Sequence, residues 1–130
     1  KRGFRILFTG TESDLDNAQG LAQELKQIKP IIACGKTSVN ELAALIGRCG
    51  LFISADSAPL HIACAMRTPF IALFGPTDPK RHIAPFKKGI IIFKNLDCSP
   101  CYKPKCKTKD CMSQISPEEV LAKVEELLKA

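Results

Sequence analysis

With 130 residues, 45% of them hydrophobic and 25% charged, the chain can fill one globular core and has little left for a second, so a single domain over residues 1–130 is expected. No stretch approaches the roughly 20 apolar residues of a spanning helix, and Lys1-Arg2-Gly3-Phe4 runs straight into a strand-like segment where a signal peptide would have its apolar region. These features exclude a helical membrane protein and lead to the expectation of a soluble, cytoplasmic protein whose abrupt start marks it as a piece of a longer polypeptide.

The formal charge of +6 is uneven, because residues 80–109 hold nine Lys or Arg against Asp97 alone. Such a section favours anionic partners, among them phosphates, anionic lipid head groups and nucleic acid, or else forms a solvated face that keeps the protein in solution.

Arg5-Ile6-Leu7-Phe8-Thr9 reads as a strand closed by Gly10, after which Leu15, Ala18, Ala22, Leu25 and Ile28 recur at helical spacing up to Pro30. Ile31-Ile32-Ala33-Cys34 closes at Gly35, and Ser38 with Glu41 matches a capping box opening a helix on Val39, Leu42, Ala43, Ile46 and Cys49. Leu51-Phe52-Ile53-Ser54-Ala55 is a third strand, Pro59 to Met66 a short helix, and Pro69 to Phe74 a fourth strand ending in Gly75-Pro76. Strands this apolar on both faces suit a buried parallel sheet.

Gly89-Ile90-Ile91-Ile92-Phe93 is a fifth strand, and residues 94–115 form a cysteine-rich loop. Ser116-Pro117-Glu118-Glu119 then opens a last amphipathic helix, with Ser116 as cap and Glu119 closing a second capping box. The alternation predicts an α/β fold, a Rossmann-like, doubly wound parallel sheet. The segments after the strands, Gly10-Thr11, Gly35-Lys36-Thr37, Asp56-Ser57-Ala58 and Gly75-Pro76-Thr77-Asp78, would then emerge at the edge where such sheets bind ligands.

The most informative run is Ser54-Ala55-Asp56-Ser57-Ala58-Pro59-Leu60-His61. With Pro59 as first helical residue, Ala58 stands at the cap without a side-chain oxygen, leaving the amides of Leu60 and His61 for an anion such as a diphosphate. His61 falls in that first turn, either as a neutral hydrogen-bonding ring beside the ligand or as a packed core histidine. Asp56 accepts from a ribose or sugar hydroxyl, or caps the helix through local amides.

Gly10-Thr11-Glu12-Ser13-Asp14 lacks the GxGxxG pattern of a dinucleotide-binding dehydrogenase. Thr11 and Asp14 are candidates to touch a ribose or base, while Ser13 and Asp14 equally make a favourable helix start. Lys36 and Thr37 are the ligand candidates of the second loop. Cys98, Cys101, Cys106 and Cys111 have spacings that suit a structural zinc ion, with packed thiols or disulfides as the alternatives. Cys34, Cys49 and Cys64 fall on core positions.

The run Asp56 to Ala63, followed by Thr68-Pro69-Phe70-Ile71-Ala72-Leu73-Phe74-Gly75-Pro76-Thr77-Asp78-Pro79, resembles the central signature of the ADP-heptose:lipopolysaccharide heptosyltransferases. Gly35-Lys36-Thr37-Ser38, Cys98-Ser99-Pro100-Cys101 and Cys111-Met112 extend the resemblance over nearly the whole chain. The resemblance implies the C-terminal, nucleotide-sugar-binding domain of a two-domain GT-B glycosyltransferase. Asp56, Ser57, Ala58 and His61 would surround the diphosphate and sugar, Thr37 the nucleoside, Asp14 the ribose, and Thr77 would lie nearby.

It further implies an ADP-sugar donor, a lipopolysaccharide core acceptor held by the other domain, inversion at the sugar, no cofactor in the chemistry, and peripheral association with the inner membrane. The family's catalytic aspartate belongs to the N-terminal domain and has no counterpart in these 130 residues, so this chain is expected to bind without turnover. Where the family pattern has glycine the chain has Ala58, whose Cβ restricts positive φ and crowds an approaching phosphate. The rival readings are a zinc-knuckle nucleic-acid-binding module and a relic that kept the fold and lost donor binding.

Overall fold

The computed structural model describes residues 3–83 and 86–129, so Lys1 and Arg2 of the abrupt start lie outside the described residues. The chain forms two compact units, one up to Leu42 and one from Ala43 onward.

In the first unit, β1 (Leu7–Phe8) pairs in parallel with β2 (Ile31–Ile32), Leu7 opposite Ile31 and Phe8 opposite Ile32. Both strands are shorter than their apolar runs, yet backbone bonds continue the pairing from Ile31 N to Ile6 O at 2.9 Å, Ala33 N to Phe8 O at 2.9 Å and Gly35 N to Gly10 O at 3.0 Å. A 3-10 turn (Glu12–Asp14) leads into α1 (Leu15–Glu24).

The first helix stops short of Ile28, because Leu25 leaves the helical region at ψ 72° and Ile28 stays 45% exposed. Gly20 weakens the helix interior, and Pro30 disfavours helical backbone at the residue before it, which the apolar period does not register. Gly35 takes φ +70° at the end of β2, where its α-carbon lies so close to Glu12 that a β-carbon would meet the Glu12 Cα at 3.1 Å.

Helix α2 (Val39–Gly47) opens as the sequence predicts. Ser38 N donates to Glu41 Oε2 at 2.8 Å and Glu41 N to Ser38 Oγ at 3.4 Å, the two halves of a capping box. The turn after Gly47 tightens, with Arg48 N on Leu45 O and Cys49 N on Ile46 O.

In the second unit, β3 (Phe52–Ala55), β4 (Phe70–Phe74) and β5 (Gly89–Phe93) form a parallel sheet in that order, with Phe52 opposite Phe70 and Phe70 opposite Gly89. Helix α3 (Ala58–Ala65) joins β3 to β4, and α4 (Pro79–His82), a single turn unforeseen from the sequence, lies between β4 and β5. Among the described residues the five strands divide between two parallel sheets, the parallel α/β architecture expected.

Only the central strand is buried on both faces. Phe70, Ile71, Ala72 and Phe74 are at most 1% exposed, and each large side chain here contributes about 1.5–3 kcal/mol of burial. The outer β3 alternates, with Ile53 46% exposed, so double-sided burial does not extend to it. Leu60 and Ile46 complete the core, and buried Thr68 satisfies its hydroxyl on Ile46 O at 3.0 Å.

Within the cysteine-rich segment the structure adds one helical turn, α5 (Asp110–Ser113). The last helix, α6 (Pro117–Lys129), starts at Pro117 as expected, and Ser116 Oγ accepts from Glu119 N at 3.1 Å. Its capping box stays half made, because the Glu119 carboxylate turns to Lys94 Nζ at 2.6 Å. Among the described residues, no helix is long and apolar enough to cross a membrane.

Candidate functional site

The parallel pairing of β3 with β4 fixes the site, because both strands end at the same edge and deliver Asp56 and Thr77 side by side. Thr77 Oγ1 donates to Asp56 Oδ2 at 2.7 Å. His82 Nδ1, at the end of α4, stands 3.9 Å from the same oxygen. Among the described residues Asp56 Oδ1 has no hydrogen-bond partner, and the side chain is 18% exposed. Asp56 therefore ties two loops together with one oxygen and presents the other, and of its two sequence readings the helix cap is not the one found.

The start of α3 differs from the expectation. Ser57, extended at φ −159° and ψ 165°, is the N-cap; Ala58 is the first helical residue and Pro59 the second. The Ser57 hydroxyl does not cap the helix, being shared with Ser54 Oγ at 2.9 Å and directed to Ala55 O at 3.2 Å. Leu60 N, expected to be free, is taken by Ser57 O at 3.0 Å. The amide of exposed Ala58 has no acceptor among the described residues, so the open donor lies two residues before the Leu60 amide to which the sequence pointed.

Ala58 also sits in the helix and not in the left-handed region, so its Cβ imposes no backbone strain here. His61 is exposed on the first turn of α3, which removes the packed-histidine reading.

The loop carrying Thr77 is braced from the segment after β5. Buried Ser99 donates from Oγ to Gly75 O at 2.6 Å, and the amides of Cys101 and Tyr102 both reach Pro76 O, at 2.9 and 2.8 Å. Tyr102, left-handed at φ 55°, accepts at its hydroxyl from Asp78 N at 3.3 Å and sets its ring 5.9 Å from that of His82. Asp78 caps α4 through Lys80 N at 2.9 Å. Neither His82 nor Tyr102 was singled out from sequence, because the contacts that define them join residues 20 or more positions apart.

In the first unit, Asp14 is already employed. Its Oδ2 accepts from both Thr11 Oγ1 and Thr11 N at 2.7 Å, and these bonds, the hydroxyl's first, hold its carboxyl below the usual range. The helix-start reading thus accounts for one oxygen of this exposed side chain. Glu41 is held low in the same way, chiefly by the Ser38 amide and then by its hydroxyl. Thr37 is half-buried in the loop after Gly35, beside exposed Lys36.

The cysteines do not gather. Among the described residues no three His, Cys, Asp or Glu side chains are placed to hold a metal ion, those of Cys98, Cys101, Cys106 and Cys111 included. Three have other contacts: Cys101 through its backbone on Pro76, Cys111 on α5 against Gly75, and Cys106 with the Lys109 amide at 3.4 Å, while Cys98 is exposed. The Lys109 amide, followed by that of Thr108, lowers the Cys106 thiol below its ordinary value.

All seven cysteines are free; Cys34 is 3% exposed as expected, and burial raises the thiols of half-buried Cys49 and Cys64. An apolar groove of about 420 Å³ beside α6, lined by Ile53, Leu73, Ile115, Val120 and Val124 among others, offers no polar side chain to a nucleotide.

Residues 1–112 match the family model described as glycosyltransferase family 9 (heptosyltransferase). The chain is 39% identical to lipopolysaccharide heptosyltransferase 3 of Escherichia coli K12, covering 98% of this chain and 38% of that protein. It is 30% identical to lipooligosaccharide heptosyltransferase 2 of Campylobacter jejuni, covering 95% of this chain and 40% of that one.

The crystal structure of the glycosyl transferase family 9 protein from Veillonella parvula superposes with a TM-score of 0.78 at 29% identity, over 98% of this chain and 38% of the other. The E. coli ADP-heptose lps heptosyltransferase II has the same fold, at a TM-score of 0.76 and 22% identity over 97% of this chain and 37% of that one. The chain spans about two fifths of the length of these relatives. With its parallel α/β framework, its Asp56-to-His61 turn and a family match running from residue 1 to residue 112, the chain belongs to glycosyltransferase family 9, the heptosyltransferases.

Proposed function

We propose that these residues bind the nucleotide-sugar donor of a glycosyltransferase that moves a heptose, or a related sugar, from an ADP-linked donor to the inner core of lipopolysaccharide, with inversion at the sugar carbon. The observation that carries this reading is the Asp56 carboxylate, fixed through Oδ2 by Thr77, with Oδ1 and the Ala58 amide at the start of α3 both without a partner among the described residues. The open oxygen accepts a ribose or sugar hydroxyl. The amide and the positive end of the helix receive the diphosphate, whose charge grows as the sugar leaves.

Exposed His61, one turn along, adds a hydrogen bond to the same group. In this scheme Asp14 and Thr37 serve the nucleoside side. The name borne by the E. coli relative supports a heptose donor and a lipopolysaccharide acceptor. The attacking hydroxyl is deprotonated by an aspartate of the other domain, so these 130 residues bind the donor without turning it over. Work on a lipid-anchored acceptor suits a cytoplasmic protein at the periphery of the inner membrane.

The test is calorimetry of the chain with ADP and ADP-heptose, alongside thermal shifts with ADP, UDP and GDP, in which the preferred nucleotide gives the largest stabilisation. Asp56→Ala and His61→Ala should each weaken ADP-heptose binding at least several-fold. Affinity unchanged in both variants would remove the site assignment, and an absence of any saturable nucleotide response would favour the relic reading.

A further inference from the structure

We propose that His82 is a further ligand-contacting residue of this site, one that recognises the sugar of the donor and not its nucleotide; the inference rests on the donor-binding reading above. His82 is held from two sides. Its Nδ1 faces Asp56 Oδ2 at 3.9 Å, and its ring leans on Tyr102 at 5.9 Å with 39° between planes. Tyr102 is itself fixed by its hydroxyl on the Asp78 amide and by its own amide on Pro76. The imidazole is therefore aimed by neighbours that belong to the same loop cluster as Thr77.

What remains is Nε2, which has no partner among the described residues, on a side chain 37% exposed. A carboxylate facing Nδ1 draws the single hydrogen of the uncharged ring to that nitrogen, so Nε2 is left as a lone-pair acceptor. The separation of 3.9 Å closes to a hydrogen bond by a small shift of either side chain, as such pairs do when a ligand arrives.

An acceptor at Nε2 can pair only with a donor on the ligand. A diphosphate at neutral pH offers acceptors alone, whereas the heptose and the ribose both offer hydroxyl donors; with the ribose served by Asp14 in the scheme above, the heptose is left to His82. Asp56 has the same preference at Oδ1, so the pair forms a two-point acceptor site for adjacent hydroxyls. Phosphate recognition is left to the amide at Ala58.

Calorimetry of the 130-residue chain with ADP and with ADP-heptose, at mildly alkaline pH, separates the two parts of the ligand. One neutral hydrogen bond corresponds to roughly 2- to 12-fold in affinity. His82→Ala should lose about that factor for ADP-heptose and nothing for ADP. His82→Gln, whose side-chain carbonyl can stand where Nε2 stood, should recover part of it. An equal loss for both ligands, or no loss for either, in a variant whose melting curve matches the parent would overturn the role given to His82. Failure of the unmutated chain to bind ADP at all would instead bring down the donor-binding reading on which it rests.

Discussion

Replacing Thr77 with Val tests the link on which the site depends. The change keeps the shape of the side chain and removes the hydroxyl that donates to Asp56 Oδ2 at 2.7 Å. A hydrogen bond to a charged group contributes about 1.5–3 kcal/mol net, and with the Asp56 side chain 18% exposed, water replaces part of the loss, so about 1.5 kcal/mol is the expected cost. At roughly 4–8 °C per kcal/mol for a unit of this size, Tm falls by about 6–12 °C.

The sharper assay is a double-mutant cycle in urea with Asp56→Asn, because the carboxylate and the hydroxyl share one bond. The two changes together should cost about 1 kcal/mol less than the sum of the singles. ADP-heptose affinity should fall less for Thr77→Val than for Asp56→Ala, since the ligand meets Oδ1 and the hydroxyl only steadies it. Additivity within about 0.3–0.5 kcal/mol would refute the claim that Thr77 and Asp56 act as a unit.

Gly89→Ala tests the sheet: its β-carbon would stand 2.8 Å from two carbons of the Phe70 ring, which is 1% exposed and stacked on Phe86 at 5.7 Å, so the ring has no room to yield. Overpacking of this kind costs about 1–3 kcal/mol, and a melting curve identical to the parent's would count against the packing described. The first unit should weaken in acid. Asp14 and Glu41 are both held below their unfolded values by the Thr11 and Ser38 hydrogen bonds, so their contribution is complete above the ordinary carboxylate range and is lost as pH falls through the depressed folded values. Asp14→Asn with Glu41→Gln should flatten the acid limb of stability against pH in urea titrations; an acid limb of unchanged slope would show that other carboxylates set it.

What the sequence made legible was whatever depends on near neighbours. The β5 bounds, the opening of α2 by Ser38 and Glu41, and the start of α6 at Pro117 follow from local apolar period and capping, and the structure has them. Asp56 and Thr77 were both named, since each follows a strand and strands in a parallel layer end at one edge. Capping geometry at the site was misread by one residue, because a serine followed by Ala-Pro fits an N-cap one position before the one assumed. The α4 and α5 turns escaped because four residues give no periodicity to detect. Cysteine spacing does not fix placement, since the signal for zinc is a spacing along the chain while coordination needs convergence in space.

The residues that were invisible share one trait: their partners lie far along the chain. Ser99, Tyr102 and His82 meet Gly75, Asp78 and Asp56 over separations of 24, 24 and 26 positions, and no local pattern encodes such pairings. Their arrangement nonetheless explains why the segment after β5 sits where it does. A loop of four residues after a buried strand would leave Thr77 free to swing, and the entropy of fixing it would be drawn from ligand binding. Ser99, Cys101 and Tyr102 fix it beforehand through the backbone oxygens of Gly75 and Pro76. The cysteine-rich segment thus earns its position by holding the loop after β4.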